Sequence, residues 1–206
     1  MLKIWGRNSS VNVQKVMWTV AELGLEHERI DVGGAFGKLD TPEYGAMNPN
    51  RRIPVVQDGA LVVWESNVCV RYLAAKYGSG SLWPEDPGER ALADMWMDWM
   101  GNTLIADLTT VFWGLIRTPP EQRDGNAIKA AAERLGESWK ILDAHLAGRE
   151  YVAGEHLTMG DIPVGAACYR YFELAIDRPS LPHVIAWYQR LQARSAYAQH
   201  VMIPLT

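Results

Sequence analysis

The sequence lacks what an oxidised secreted scaffold or a metalloprotein needs. Only two cysteines, Cys69 and Cys168, occur in 206 residues, too few for a disulfide framework or a zinc site. The five histidines, at 27, 145, 156, 183 and 200, show no i, i+3 or i+4 pairing, and none stands near a cysteine; no metal is expected. Walker A loop, dinucleotide fingerprint, HExxH and GxSxG motifs are all missing, which removes the usual signatures of nucleotide, zinc-hydrolase and serine-hydrolase chemistry. No run reaches the roughly 18 uninterrupted apolar residues of a membrane span. Leu104 to Ile116 comes nearest and is broken by Asp107, Thr109 and Thr110. Lys3 and Gly6 interrupt the opening segment too early for a signal-peptide core. Excess positive charge is lacking too: the net charge of −4 argues against phosphate-driven nucleic-acid binding. These absences predict a cytoplasmic protein with neither a membrane nor a nucleic-acid partner.

What remains is an ordinary globular composition, 48% apolar and 21% charged, and a length that suits one or two domains. The chain changes character near residue 79. In residues 1–78, Leu2–Trp5 alternates like a strand. Val13, Val16, Met17, Val20 and Ala21 form the apolar stripe of a helix, with Gly24 available as a left-handed cap. Residues 29–32 alternate again and predict a second strand. Val55–Gln57 and Ala60–Val63 flank Asp58-Gly59, a tight hairpin turn, and Pro54 belongs at the first strand's start. Glu65-Ser66-Asn67 opens another helix that closes at Gly78. Strand–helix–strand followed by hairpin and helix predicts a mixed sheet with one parallel pair.

Gly78 to Ser81, with Pro84 and Pro87 beyond, punctuates the chain. The expected division is a first domain over 1–78, a linker over 79–86 and an all-helical domain over 87–206. Apolar residues from Leu92 to Leu115 form a long stripe that ends at Pro119-Pro120. A second runs from Ile128 to Leu146, and a last helix spans 182–192. Thr158 and Asp161 stand at capping-box spacing, Leu157 and Ile162 at staple spacing; Asp161 therefore reads as a structural cap rather than a catalytic acid.

The first domain has the element order of a thioredoxin-like unit but no CxxC pair. In its place, between first strand and first helix, stand Arg7, Asn8, Ser9, Ser10, Val11 and Asn12. Ser10 or Asn12 can cap the helix. Alternatively, a hydroxyl there donates to an anion such as a thiolate, aided by unpaired backbone N–H groups and the helix dipole. Ser66 can likewise cap its helix or receive a carboxylate. Glu65 beside it would repel a simple anion but suits an α-amino acid, which carries an ammonium as well. Arg51 and Arg52 bring positive charge, and Ile53-Pro54 entering a strand is a candidate cis bond that would free the Ile53 backbone to pair with a peptide. Together these features suit a small acidic peptide containing a thiol.

At this point the chain resembles the cytosolic glutathione transferases over essentially its whole length. Asn48-Pro49, Ile53-Pro54-Val55-Val56, Asp58-Gly59, Glu65-Ser66 and Leu157-Thr158 with Asp161-Ile162 stand in that family's order and spacing. The loop is similar to the serine-type motif of the phi class and the threonine–asparagine motif of the Nu class. The resemblance implies a thioredoxin-like N-terminal domain, an all-helical C-terminal domain, a homodimer, and glutathione as co-substrate. It implies Ser10 as the activating residue with Asn12 as second donor, Ser9 being the adjacent alternative. It also implies glutathione contacts from Arg52, the Ile53 backbone, Glu65 and Ser66. The expected reaction is attack of glutathione thiolate on small, mostly apolar electrophiles, in a pocket walled by Trp99, Thr103, Phe112 and Trp113. Glutathione-dependent disulfide reduction and glutathione binding with little turnover are the competing expectations.

Overall fold

The computed structural model describes residues 1–206. Strand β1 (Leu2–Trp5), helix α1 (Val11–Glu22) and strand β2 (His27–Ile30) come first, and β2 runs parallel to β1. The second strand begins two residues before the expected one. Pairing nonetheless continues beyond it, since the Gly6 and Arg7 N–H groups donate to the Ile30 and Val32 carbonyls. A short helix α2 (Pro42–Met47) leads to the hairpin β3 (Val55–Asp58) and β4 (Leu61–Trp64), turned by Gly59 at φ +61°. The sheet order is β2-β1-β3-β4, with β3 antiparallel to both neighbours. Helix α3 (Ser66–Tyr77) completes this half. Leu2, Ile4 and Val56 of the sheet bury against Val13, Val16 and Val20 of α1 and Cys69 and Leu73 of α3.

The remainder is helical: α4 (Pro87–Trp99), α5 (Ile105–Phe112), α6 (Gly125–Leu146), α7 (Asp161–Glu173), α8 (Pro182–Gln192) and α9 (Ser195–His200). The long stripe expected before Pro119 is one continuous helical path carrying two π turns, Met100–Leu104 and Trp113–Arg117. Such turns concentrate at functional sites because an extra residue re-aims the side chains around it.

The halves share a core. Val11 and Trp18 of α1 and Val70 and Ala74 of α3 belong to the large apolar cluster of the helical half. Helix α7 approaches α1 so closely that a Cβ on Gly165 would stand 2.8 Å from the Trp18 ring; only glycine permits that spacing. Glu22 closes the seam by accepting from Trp18 Nε1 at 2.8 Å and from both Nε and Nη2 of Arg194 at 2.7 Å.

Asp161 is the structural group its spacing implied. Its carboxylate is fully buried and accepts from the backbone N–H of Val152 at 3.0 Å and of Thr158 at 2.9 Å, and from Trp187 Nε1 at 2.9 Å. The carboxylate reaches back to Thr158 as a capping box requires, while the Thr158 hydroxyl accepts from Gly160 N–H at 3.3 Å. Leaving a buried donor unpaired costs about 1–3 kcal/mol. Asp161→Ala, which strands three, is expected to lose at least about 3 kcal/mol of unfolding free energy in urea titration, and Asp161→Asn less.

Candidate active site

Two helices begin beside one another at one edge of the sheet half, and neither is capped by a side chain. Ser10 occupies the N-cap position of α1, but its hydroxyl makes no cap bond. The N–H groups of Val11 and Asn12 find no backbone acceptor. The local reading of Ser10 as a simple cap therefore fails: a free hydroxyl and two free N–H groups gather at the positive end of a twelve-residue helix.

Helix α3 starts in the same way. Ser66 is its first residue rather than its cap; the cap position falls to Glu65, held at φ +68° without a side-chain bond. A non-glycine residue in that left-handed region carries backbone strain, which persists where the surroundings demand it. The turn leaves Glu65 exposed and Ser66 buried. Ser66 Oγ donates to Asn12 Oδ1 at 3.2 Å, so the two helix starts are tied directly together. This bond occupies the Asn12 acceptor and leaves its amide N–H₂ free to donate.

Beneath that tie lies Lys15, which stands in the loop motif Ser10-Val-Asn12-Val-x-Lys15 but to which the sequence alone assigns no role. Lys15 of α1 is buried at 3% exposure and donates to Ser66 Oγ at 3.4 Å and to Asn67 Oδ1 at 3.3 Å. Burial pushes its ammonium down to about 7; nearby Glu65 opposes this shift and Arg170 adds to it. An available signal was its position as the single charge between Val11 and Val20, in a helix covered on both sides.

The segment between α2 and β3 faces these helix starts. The Ile53–Pro54 bond is cis, as expected. Neither the N–H nor the carbonyl of Ile53 pairs with another backbone group, which leaves an open peptide edge. The two arginines before it divide: Arg51 donates to the Leu39 carbonyl at 2.8 Å and the Thr41 carbonyl at 3.2 Å, whereas Arg52 is exposed and lines the cleft.

That cleft, of about 300 Å³, lies between the Ser9–Asn12 loop and α5. Ser9, Ser10, Asn12 and Arg52 line one side, and Ile105, Leu108, Thr109, Phe112 and Trp113 the other. These last five fall at i, i+3, i+4, i+7 and i+8, one face of α5 continued into the second π turn. Of the four expected wall residues, Phe112 and Trp113 are there and Trp99 and Thr103 are not. The intervening π turn adds a residue, which rotates the upstream face by about 100°. Trp99 instead meets Trp96 edge-on at 4.9 Å, and Thr103 is exposed. The cleft is also less apolar than expected, because Arg7, Arg117 and Arg170 line it too.

The depressed Lys15 pKa fixes a stability prediction. A lysine whose folded pKa lies below its unfolded value penalises folding at low pH, and the penalty fades as pH rises from the folded to the unfolded pKa. Lys15→Met removes a buried charge, so the variant is expected to exceed wild type by about 1–4 kcal/mol at about pH 6. The gap should close toward about pH 10, measured by urea midpoints across that range.

Comparison with known proteins agrees with this geometry. The family model for the glutathione S-transferase N-terminal domain matches residues 1–75, and that for the C-terminal domain matches residues 105–195. Glutathione S-transferase GstB of Escherichia coli (strain K12) is 41% identical, with the whole of both chains covered. Glutathione S-transferase 3 of Zea mays is 30% identical over 99% of this chain and 95% of its own. Among solved structures, the theta class glutathione S-transferase of Xanthomonas axonopodis pv. citri with glutathione bound superposes with TM-score 0.96 at 50% identity, covering 100% of this chain and 99% of its own. With both family domains matched in order and full-length relatives at this identity, the chain belongs to the glutathione S-transferase family.

Proposed function

We propose that this transferase binds glutathione across the two helix starts and conjugates its ionised sulfur to small electrophiles. The observation that carries this reading is the free Ser10 hydroxyl beside the unpaired N–H groups of Val11 and Asn12, in the cleft that Arg52 lines next to the open Ile53 edge. The tripeptide's cysteinyl backbone pairs with Ile53. Its γ-glutamyl carboxylate meets the backbone N–H groups at the α3 N-terminus and the Ser66 hydroxyl, whose proton turns from Asn12 to the carboxylate on binding, and its ammonium meets Glu65. Arg52 receives the glycyl carboxylate. That the solved Xanthomonas relative holds glutathione supports glutathione as the ligand.

Chemistry follows from charge. A free thiol ionises near pH 8.5, and the enzyme needs the thiolate because the thiol is a poor nucleophile. Ser10 acts as a hydrogen-bond donor that strengthens as negative charge settles on sulfur; it does not itself attack. A hydrogen bond to a charged acceptor contributes about 1.5–3 kcal/mol, or about one to two units of pKa. The N–H groups of Val11 and Asn12, the Asn12 side-chain amide and the α1 dipole add to it. Ser9 is the alternative donor; its carbonyl is already engaged by Arg170. The electrophile then lies against Phe112 and Trp113, across the cleft from sulfur.

Neither protein cysteine supports a disulfide-exchange role. Cys69 and Cys168 are buried outside the cleft, and burial pushes the Cys69 thiol up to about 12 and that of Cys168 well above its usual value. We also propose a homodimer working in the cytoplasm. Leu61 on β4, Val68 on α3 and Leu92 and Met95 on α4 stay 46–50% exposed, an apolar set that a second copy would cover.

Steady-state kinetics test the assignment. Ser10→Ala is expected to lower kcat/KM by about 10- to 100-fold, with glutathione affinity changed little. Ser66→Ala is expected to weaken glutathione binding with a smaller effect on kcat. An unchanged rate in Ser10→Ala would overturn its role, and unchanged binding in Ser66→Ala would overturn the placement of the γ-glutamyl group.

A further inference from the structure

Four arginines, Arg7, Arg52, Arg117 and Arg170, line the cleft, and no aspartate or glutamate does. None of the four pairs with an aspartate or glutamate: the side-chain ion pairs of the molecule use Lys3, Arg29, Arg71, Lys76, Arg134, Lys140 and Arg194. Arg170 is the most confined. It is 7% exposed, donates to the Ser9 carbonyl at 2.8 Å and lies 4.3 Å over the Phe112 ring, while its buried Nε has no partner. Arg117 lies 5.6 Å from the Phe112 ring and 6.0 Å from that of Trp113, and donates to a main-chain oxygen of Thr206, the last residue. Burial and mutual repulsion, with Arg117 facing both, hold the Arg7 and Arg170 guanidiniums below their usual range.

A cluster of like charges without counterions opposes folding, and an entering anion relieves that repulsion. Glutathione brings two anionic groups to this cleft, the thiolate and the glycyl carboxylate, and Arg52 and Arg7 stand on the sheet side where both lie. Arg117 and Arg170 stand on the opposite, helical wall beside the rings that receive the electrophile. No aspartate or glutamate of the cleft offsets them, and the buried Nε of Arg170 stays without a partner after glutathione binds.

We propose that the second substrate carries a carboxylate or similarly compact anionic group, held by Arg117 and Arg170 while its electrophilic carbon faces the sulfur near Ser10. This rests on the glutathione reading above and names the substrate class for the same site. For an aryl or alkyl halide bearing a carboxylate, the thiol proton leaves to solvent on binding. The thiolate electron pair then forms the C–S bond, the C–halogen bond breaks, and halide departs with the bonding pair. The substrate's apolar body lies on Phe112 and Trp113, and its anionic group sets its orientation.

The test compares a matched pair, 4-chloro-3-nitrobenzoate and 4-chloro-3-nitrobenzamide, each rate divided by its uncatalysed rate with glutathione. Wild type is expected to accelerate the carboxylate at least about tenfold more than the amide, as a charge-assisted contact implies. Added salt should erode that preference, since Arg117 is exposed. Arg117→Gln, at the surface and therefore expected to fold, should cut the carboxylate reaction about tenfold more than the amide reaction, and Arg117→Lys should restore part of the difference. Equal acceleration of the pair, a preference for the amide, equal losses in Arg117→Gln, or no turnover of the carboxylate by enzyme that binds glutathione would each overturn the inference. Absence of glutathione binding by calorimetry would instead overturn the glutathione reading on which it rests.

Discussion

The structure depends on one constraint: two helices start side by side with their first N–H groups unpaired. Backbone donors left free at a helix end attract negative charge, and here the two ends are fixed to each other by the hydrogen bond from Ser66 to Asn12. Neither serine does the capping work its position would allow. Ser10 keeps its hydroxyl free, and Glu65 takes the strained cap position so that Ser66 can turn inward. A molecule with a carboxylate at one end and an ionisable sulfur near its middle completes both helix starts at once.

Lys15 gives this arrangement its depth. An ammonium buried under Ser66 and Asn67 is costly, and that desolvation is what lowers its pKa. It is kept where it adds positive potential beneath the joined helix starts, with Glu65 as the nearby acid. The second contribution comes from across the seam. Arg170 of α7 holds the Ser9 carbonyl, so the helical half positions the loop that presents Ser10. The close approach of Gly165 to Trp18 and the Glu22–Arg194 pair keep α7 and α9 against α1. The seam therefore governs the geometry of the sulfur site as much as the sheet half does.

Much of this was legible in the sequence. The Asp58-Gly59 hairpin, the α1 stripe and the Thr158–Asp161 spacing each encode local geometry, and each was found in place. The Ile53–Pro54, Glu65-Ser66 and Ser10–Asn12 signals point to the right corner of the fold because each marks a turn with special backbone needs. Local spacing was weaker where tertiary contacts decide. Ser10 and Ser66 read equally well as caps, since only the neighbouring helix shows which hydroxyl is free. Lys15 is the single charge between Val11 and Val20, and only the packing of α3 shows that it is buried beneath Ser66 and Asn67. Trp99 and Thr103 fall outside the cleft because a π turn, which no simple periodicity announces, changes the helical register. Arg117 and Arg170 are 53 residues apart and meet only through folding, although a lone arginine in the buried run of α7 was a visible signal.

The most direct measurement of the central claim is the ionisation of the bound sulfur. Glutathione labelled with carbon-13 at the cysteinyl β-carbon reports its thiol pKa by NMR titration of the complex. The bound pKa is expected at least about one unit below the free value of about 8.5, most of the depression disappearing with Ser10→Ala. A bound thiol that titrates like the free one, or a depression unaffected by that substitution, would contradict it.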